Sequence, residues 1–114
     1  MEEKILSSNE NKRNFNILIV ESILKGIDFG EVVLRFLELN FNLDRNRIVD
    51  NPENFAKSLE KIFGSGMADI YLRNILRILY RKVGINYLED EELTFSEAIN
   101  RAFKKYSEQI KPPV

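Results

Sequence analysis

From Asn14 onward, the apolar side chains of this 114-residue chain recur at three- and four-residue spacing, and no run of strict alternation is long enough for a strand. That period restricts the chain to an all-α fold, a compact bundle of about five helices. Its length suits one hydrophobic core and is short for two. The balance of 44% hydrophobic and 31% charged residues is that of an ordinary globular chain. A net charge of -1 gives no footprint of a polybasic nucleic-acid binder.

The stripes differ in width, and the widths order the bundle. A first helix from about Phe15 to Ile27 carries Phe15, Ile17, Ile19, Val20, Ile23, Leu24 and Ile27 on an arc of roughly 200°. Gly26 or the Asp28-Phe29-Gly30 stretch then bends the chain, the alternative being one continuous helix kinked near Gly30. A second helix, about Gly30 to Phe41, is apolar except for the strip Glu31, Arg35 and Glu38. Residues 42–50 read as a loop. Asn51-Pro52 with Glu53 then signals a third helix by an Asn cap and a proline in the first turn. Its stripe of Phe55, Ala56, Leu59, Ile62 and Phe63 is narrow, about 120°.

Gly64-Ser65-Gly66 is expected to end that helix with a positive φ at one glycine and to open a fourth, about Met67 to Val83, stopped by Gly84. Leu72, Ile75, Leu76 and Leu79 make this fourth helix the centre of the bundle. Thr94-Phe95-Ser96-Glu97 is a capping box that starts the fifth helix. Residues 1–13 carry no apolar period and are expected as a disordered lead. A single helical domain then covers 14–111, and 112–114 form a tail. The broad arcs of the first, second and fourth helices ask for more neighbours than two narrow-striped helices supply, so a homodimer is expected.

The chemistry available is narrow. No cysteine is present, which removes thiolate nucleophiles, disulfides and cysteine-based metal sites. No histidine is present, which removes the commonest general base and metal ligand. Gly64-Ser65-Gly66 precedes a helix N-terminus, but Met67 stands where a phosphate loop needs its lysine. Asp44-Arg45-Asn46 starts like a calcium loop, yet Ile48 and Val49 occupy the third-ligand and glycine positions. A helix–turn–helix reading of the third and fourth helices meets the apolar and acidic opening Met67-Ala68-Asp69-Ile70.

One cluster remains. Arg73, Arg77 and Arg81, at i, i+4 and i+8 with Tyr80 beside them, form a ridge able to bind an anion or an acidic partner. The structural alternative is a solvated face paired with the acidic run Glu89-Asp90-Glu91-Glu92. No catalytic residue, metal or cofactor is expected. The first apolar run, Ile17 to Val20, is stopped by Glu21, so neither a signal peptide nor a membrane span is read, and a cytoplasmic location is expected.

Pro52, Phe55, Leu59, Ile62-Phe63-Gly64 and Gly66, followed by Ile75 and Leu79, resemble a short all-α domain family of archaeal proteins, of unknown function, with members classed as output domains of signalling proteins. The segment Glu21 to Ile27 is similar to that family's first helix. These are core and turn residues, so the resemblance implies a fold and a regulatory role and carries over no catalytic motif.

The expected function is therefore a non-enzymatic helical protein–protein interaction or regulatory module, dimeric, docking an unidentified protein partner. The alternative is a nucleic-acid-associated accessory protein using Arg73, Arg77 and Arg81 with Arg101, Lys104 and Lys105.

Overall fold

Where the sequence places its caps, the helices begin and end. The computed structural model describes residues 2–88 and 92–110, with side chains from residue 9 onward. Among the described residues the order is α1 (Glu2–Gly26), α2 (Gly30–Asn40), a 3-10 helix (Arg45–Asp50), α3 (Pro52–Val83) and α4 (Phe95–Gln109), with no strand. The fold is all-α, a helical bundle.

The local signals work as their chemistry requires. The Asn51 side chain accepts from the Asn54 amide at 3.2 Å, with Pro52 in the first turn of α3. Gly84 closes α3 in the left-handed region (φ 83°), its amide donating to the Tyr80 and Arg81 carbonyls. The capping box of α4 is reciprocal: the Glu97 amide donates to Thr94 Oγ1 at 3.1 Å, and the Thr94 amide donates to Glu97 Oε1 at 2.9 Å.

Three boundaries differ from the sequence reading. α1 already includes Glu2, so residues 2–13 of the expected disordered lead stand in this helix, and Met1 lies outside the described residues. Residues 2–13 contain neither Gly nor Pro. A helix nucleated by the packed segment beyond Asn14 extends through them at the cost of one residue's order per hydrogen bond. At residue 12 it is held by a Lys12 Nζ–Asp50 Oδ1 pair of 3.7 Å. The presumed loop at 42–50 contains the 3-10 helix. The Gly64-Ser65-Gly66 turn has the expected positive φ at one glycine, Gly64 (φ 82°, ψ 163°), but the break is confined to that residue, and Ser65 and Gly66 already belong to the second arm of α3.

The core is built around α1 and the second arm of α3, residues 65–83. Phe15, Ile19 and Ile23 of α1, Ile75 and Leu79 of α3, and Ile99 of α4 are fully buried. Leu76 is buried too and Leu72 is partly covered, so three of the four residues expected at the centre are buried there and the fourth packs against them. The two central helices approach closely at Gly26. A Cβ there would lie 3.1 Å from the Ile75 backbone nitrogen, so only a hydrogen side chain fits without moving α3. Phe15 reaches α4 through ring contacts with Phe103 (5.2 Å) and Tyr106 (5.5 Å). α2 packs against α1 through Val33, Leu34 and Leu37. The second helix therefore lies at the rim.

The expected tail at 112–114 and the acidic residues Glu89, Asp90 and Glu91 lie outside the described residues.

Candidate functional site

The turn from α1 into α2 is tight enough to dictate its residues. A Cβ on Gly30 would lie 2.8 Å from the Leu24 Cα and 3.0 Å from the Ile23 carbonyl oxygen, so the chain must carry glycine at that crossing. Phe29, immediately before it, takes the left-handed conformation (φ 57°, ψ 41°), and its carbonyl accepts from the Val33 amide at 3.1 Å. A non-glycine residue there costs about 1–2 kcal/mol of backbone strain. That strain is not offset by burial: the Phe29 ring is 82% exposed.

α2 then splits into two faces. Val33, Leu34 and Leu37 turn inward, while Val32 (66%), Phe36 (47%) and Leu39 (75%) stay exposed. At about 100° per residue, Val32, Phe36 and Leu39 fall within roughly 60° of one another, opposite the buried strip. Phe36 leans on Phe41 with ring centroids 6.2 Å apart. The result is an apolar stripe of one aliphatic–aromatic face, continued at its N-terminal end by Phe29.

One flank of this stripe is a charged clamp. Arg45 Nη1 and Nη2 donate to Glu31 Oε1 (3.0 Å) and Oε2 (2.6 Å), and Arg45 Nε and Nη2 donate to Glu38 Oε2 (2.9 Å) and Oε1 (3.0 Å). One guanidinium thus bridges two carboxylates about two helical turns apart. The Arg45 hydrogen bonds hold both carboxyls below the usual glutamate range, outweighing the opposing effect of burial. The two carboxylates in turn hold the Arg45 guanidinium charged well beyond its ordinary range. Glu31, Val32, Arg35, Phe36, Glu38, Leu39 and Arg45 line an open groove of about 730 Å³.

Arg45 is in place because the 3-10 helix is anchored to α1. Asp44 caps that helix, accepting from the Asn46 amide at 2.9 Å. Asn16, on the inner side of α1 and buried, donates from Nδ2 to the Arg45 carbonyl at 2.8 Å and accepts at Oδ1 from the Val49 amide at 2.9 Å. A carboxamide supplies one donor and one acceptor at fixed separation, which matches the two backbone groups. Sequence reasoning missed Asn16 and Arg45. The available signal for Asn16 was a polar residue at i and i+3, i+7 from Ile19 and Ile23, inside the apolar arc.

The residues singled out from sequence sit on another surface. Arg73 Nε pairs with Asp69 Oδ2 one turn earlier at 3.1 Å, and Arg77 Nη1 donates to Asn74 Oδ1 at 2.8 Å. Arg81 is exposed. Tyr80 does not join this ridge: it is 1% exposed, and its hydroxyl donates to the Ala98 carbonyl of α4 at 2.7 Å. A phenol finds such a partner only when a neighbouring helix presents a carbonyl, so Tyr80 is a tie between α3 and α4 and cannot touch a partner at the surface. Gly64 and Gly66 face open space.

Among the described residues, no helix is long and apolar enough to cross a membrane. The chain matches no family model, no curated protein and no solved structure.

Proposed function

We propose that the chain is a non-enzymatic protein–protein interaction module and that the outward face of α2 is its docking surface. One observation carries the reading: Val32, Phe36 and Leu39 are exposed together on one rim helix and Phe29 is exposed at its N-cap, although α2 contributes only one face to the core. Single exposed apolar residues are ordinary on a soluble protein, but a contiguous stripe rimmed by charge is the usual form of an interface. Phe29 adds weight, because its backbone strain is retained where a glycine would relieve it and bury nothing less. The clamp at Arg45 supports the same role by fixing two carboxylates on the stripe's edge, where they bias the choice of partner more than the strength of binding. A cytoplasmic, regulatory setting belongs to the same proposal.

The test is a photoactivatable amino acid placed at position 36 in the full chain, expressed in its native cells, with the same residue at exposed position 57 on α3 as control. The docking reading expects protein adducts from position 36 and not from position 57. Irradiation that gives no protein adduct at position 36, or equal adducts at both, would overturn it.

A further inference from the structure

We infer that the occupant of the α2 face is a second copy of the same chain, paired α2 to α2 in antiparallel orientation about a two-fold axis near Phe36; this rests on the docking reading above and names its partner. The argument is self-complementarity of charge. Viewed down α2, the apolar stripe of Val32, Phe36 and Leu39 has its charged flank on one side only, carrying Arg35, Glu31 and Glu38. An antiparallel two-fold pair brings like flank to like flank, as in antiparallel coiled coils. With residue 36 on the axis, Arg35 of each copy falls within one residue, about 1.5 Å along the helix, of Glu38 of the other copy. Val32 of each copy falls equally near Leu39 of the other. One rotation thus brings Arg35 level with the other copy's Glu38, twice over, and closes Val32, Phe36 and Leu39 into one apolar seam.

A parallel pair fails the same test. It sets the charged flank of one copy against the apolar flank of the other, and Arg35 then meets no carboxylate. Arg35 is exposed and makes no ion pair within 4 Å among the described residues, although its charge acts on Glu31, whereas Arg45 holds both Glu31 and Glu38 directly. Each of those carboxylates keeps acceptor capacity for a further donor.

The area is sufficient for a reversible dimer. Taking roughly 150–200 Å² for a fully exposed side chain of this size, the exposed fractions of Phe29, Val32, Phe36 and Leu39 amount to about 400–540 Å² of apolar surface per copy. Two copies give about 800–1,100 Å², around the lower bound of about 1,000 Å² for a specific interface, before the charged rim is counted. The dimer is therefore modest in size and concentration-dependent.

The absence of cysteine from the chain makes its geometry directly testable. Light scattering between about 1 µM and about 1 mM protein, a span bracketing weak to moderate association, should show a mass rising from 13.4 kDa towards twice that value. Phe36→Glu should remain at 13.4 kDa throughout with an unchanged far-ultraviolet circular dichroism spectrum. Under mild oxidation Phe36→Cys should cross-link to itself. Val32→Cys alone and Leu39→Cys alone should not, because an antiparallel pair separates like positions by about 9–12 Å along the axis, beyond disulfide reach. A mixture of the two should cross-link.

A wild-type mass of 13.4 kDa at every concentration overturns the dimer. Self-cross-linking of Val32→Cys as efficient as that of Phe36→Cys overturns the antiparallel pairing. A constant monomer that still gives specific protein adducts from position 36 in cells removes the second copy and keeps the docking face. Loss of both removes both.

Discussion

Replacing Asn16 with alanine tests the chain of contacts that positions the site. The Asn16 carboxamide is the link by which α1 holds the 3-10 helix, through the Arg45 carbonyl at 2.8 Å and the Val49 amide at 2.9 Å. Asn16 is 3% exposed, so water does not readily replace it. Each lost hydrogen bond costs about 0.5–1.5 kcal/mol, and a buried backbone group left without its partner costs about 1–3 kcal/mol. Asn16→Ala should therefore destabilise the fold by about 2–3 kcal/mol. Against a total stability of about 5–15 kcal/mol for a domain of this kind, that is large enough to read in urea unfolding. Asn16→Asp keeps the acceptor for Val49 but turns an oxygen towards the Arg45 carbonyl, and should be no better than alanine. In both variants the Val49 amide should exchange with solvent faster than wild type. The Arg45 guanidinium should also lose its fixed position on Glu31 and Glu38. An Asn16→Ala protein within about 0.5 kcal/mol of wild type, the range of a neutral surface change, would refute the reasoning.

Further expectations follow from the backbone and the clamp. Gly64→Ala should cost about 1–3 kcal/mol in thermal or urea unfolding, because φ 82° is strained for any residue with a Cβ although nothing lies within 4 Å to clash. Phe29→Gly should leave the fold equally stable or raise its stability by about 1 kcal/mol, by relieving the left-handed strain, while weakening binding at the α2 face; lower stability together with unchanged binding would contradict the role given to Phe29. Arg45→Met should narrow its stability gap to wild type as pH falls. The Glu31 and Glu38 carboxyls lie below the ordinary glutamate value of 4.5 in the folded chain, so their contribution is present above that value and is lost as pH drops through their folded range. Urea midpoints measured from pH 7 to pH 3 check this, and a gap that widens below pH 4.5 would contradict the clamp.

How much of this was legible in the sequence depends on how far apart the partners lie. The Asn51-Pro52 start, the Thr94–Glu97 box and the Gly84 stop are written within four residues each, and all three stand in the structure. The inner faces of α1, α3 and α4 follow from the helical period. The period does not say which part of a broad arc is covered, and α2 shows this: its arc reads as too broad for the core alone, but only the structure shows that Val33, Leu34 and Leu37 are covered while Val32, Phe36 and Leu39 are not. The 3-10 helix carries no apolar stripe and owes its position to Asn16, some thirty residues earlier. Arg45 reads as a loop cation because its carboxylates lie seven and fourteen residues away. Tyr80 shares a helix with the arginine ridge, yet α4 decides that it is buried. The helical lead escaped notice for a different reason, since polar residues can extend a helix without announcing a face.

The central claim is that the α2 face is covered when the protein is at work. Hydroxyl-radical footprinting measures that directly, comparing dilute purified protein with the same chain at cellular abundance in its native cells. Phe29 and Phe36 are the readout, and Met67 is an internal control: it is 46% exposed, matching Phe36 at 47%, and lies on α3 away from the proposed surface. The account predicts that oxidation of Phe29 and Phe36 falls in the cell while that of Met67 is unchanged. Equal oxidation of Phe29 and Phe36 in both settings, or protection of Met67 in their place, would contradict it.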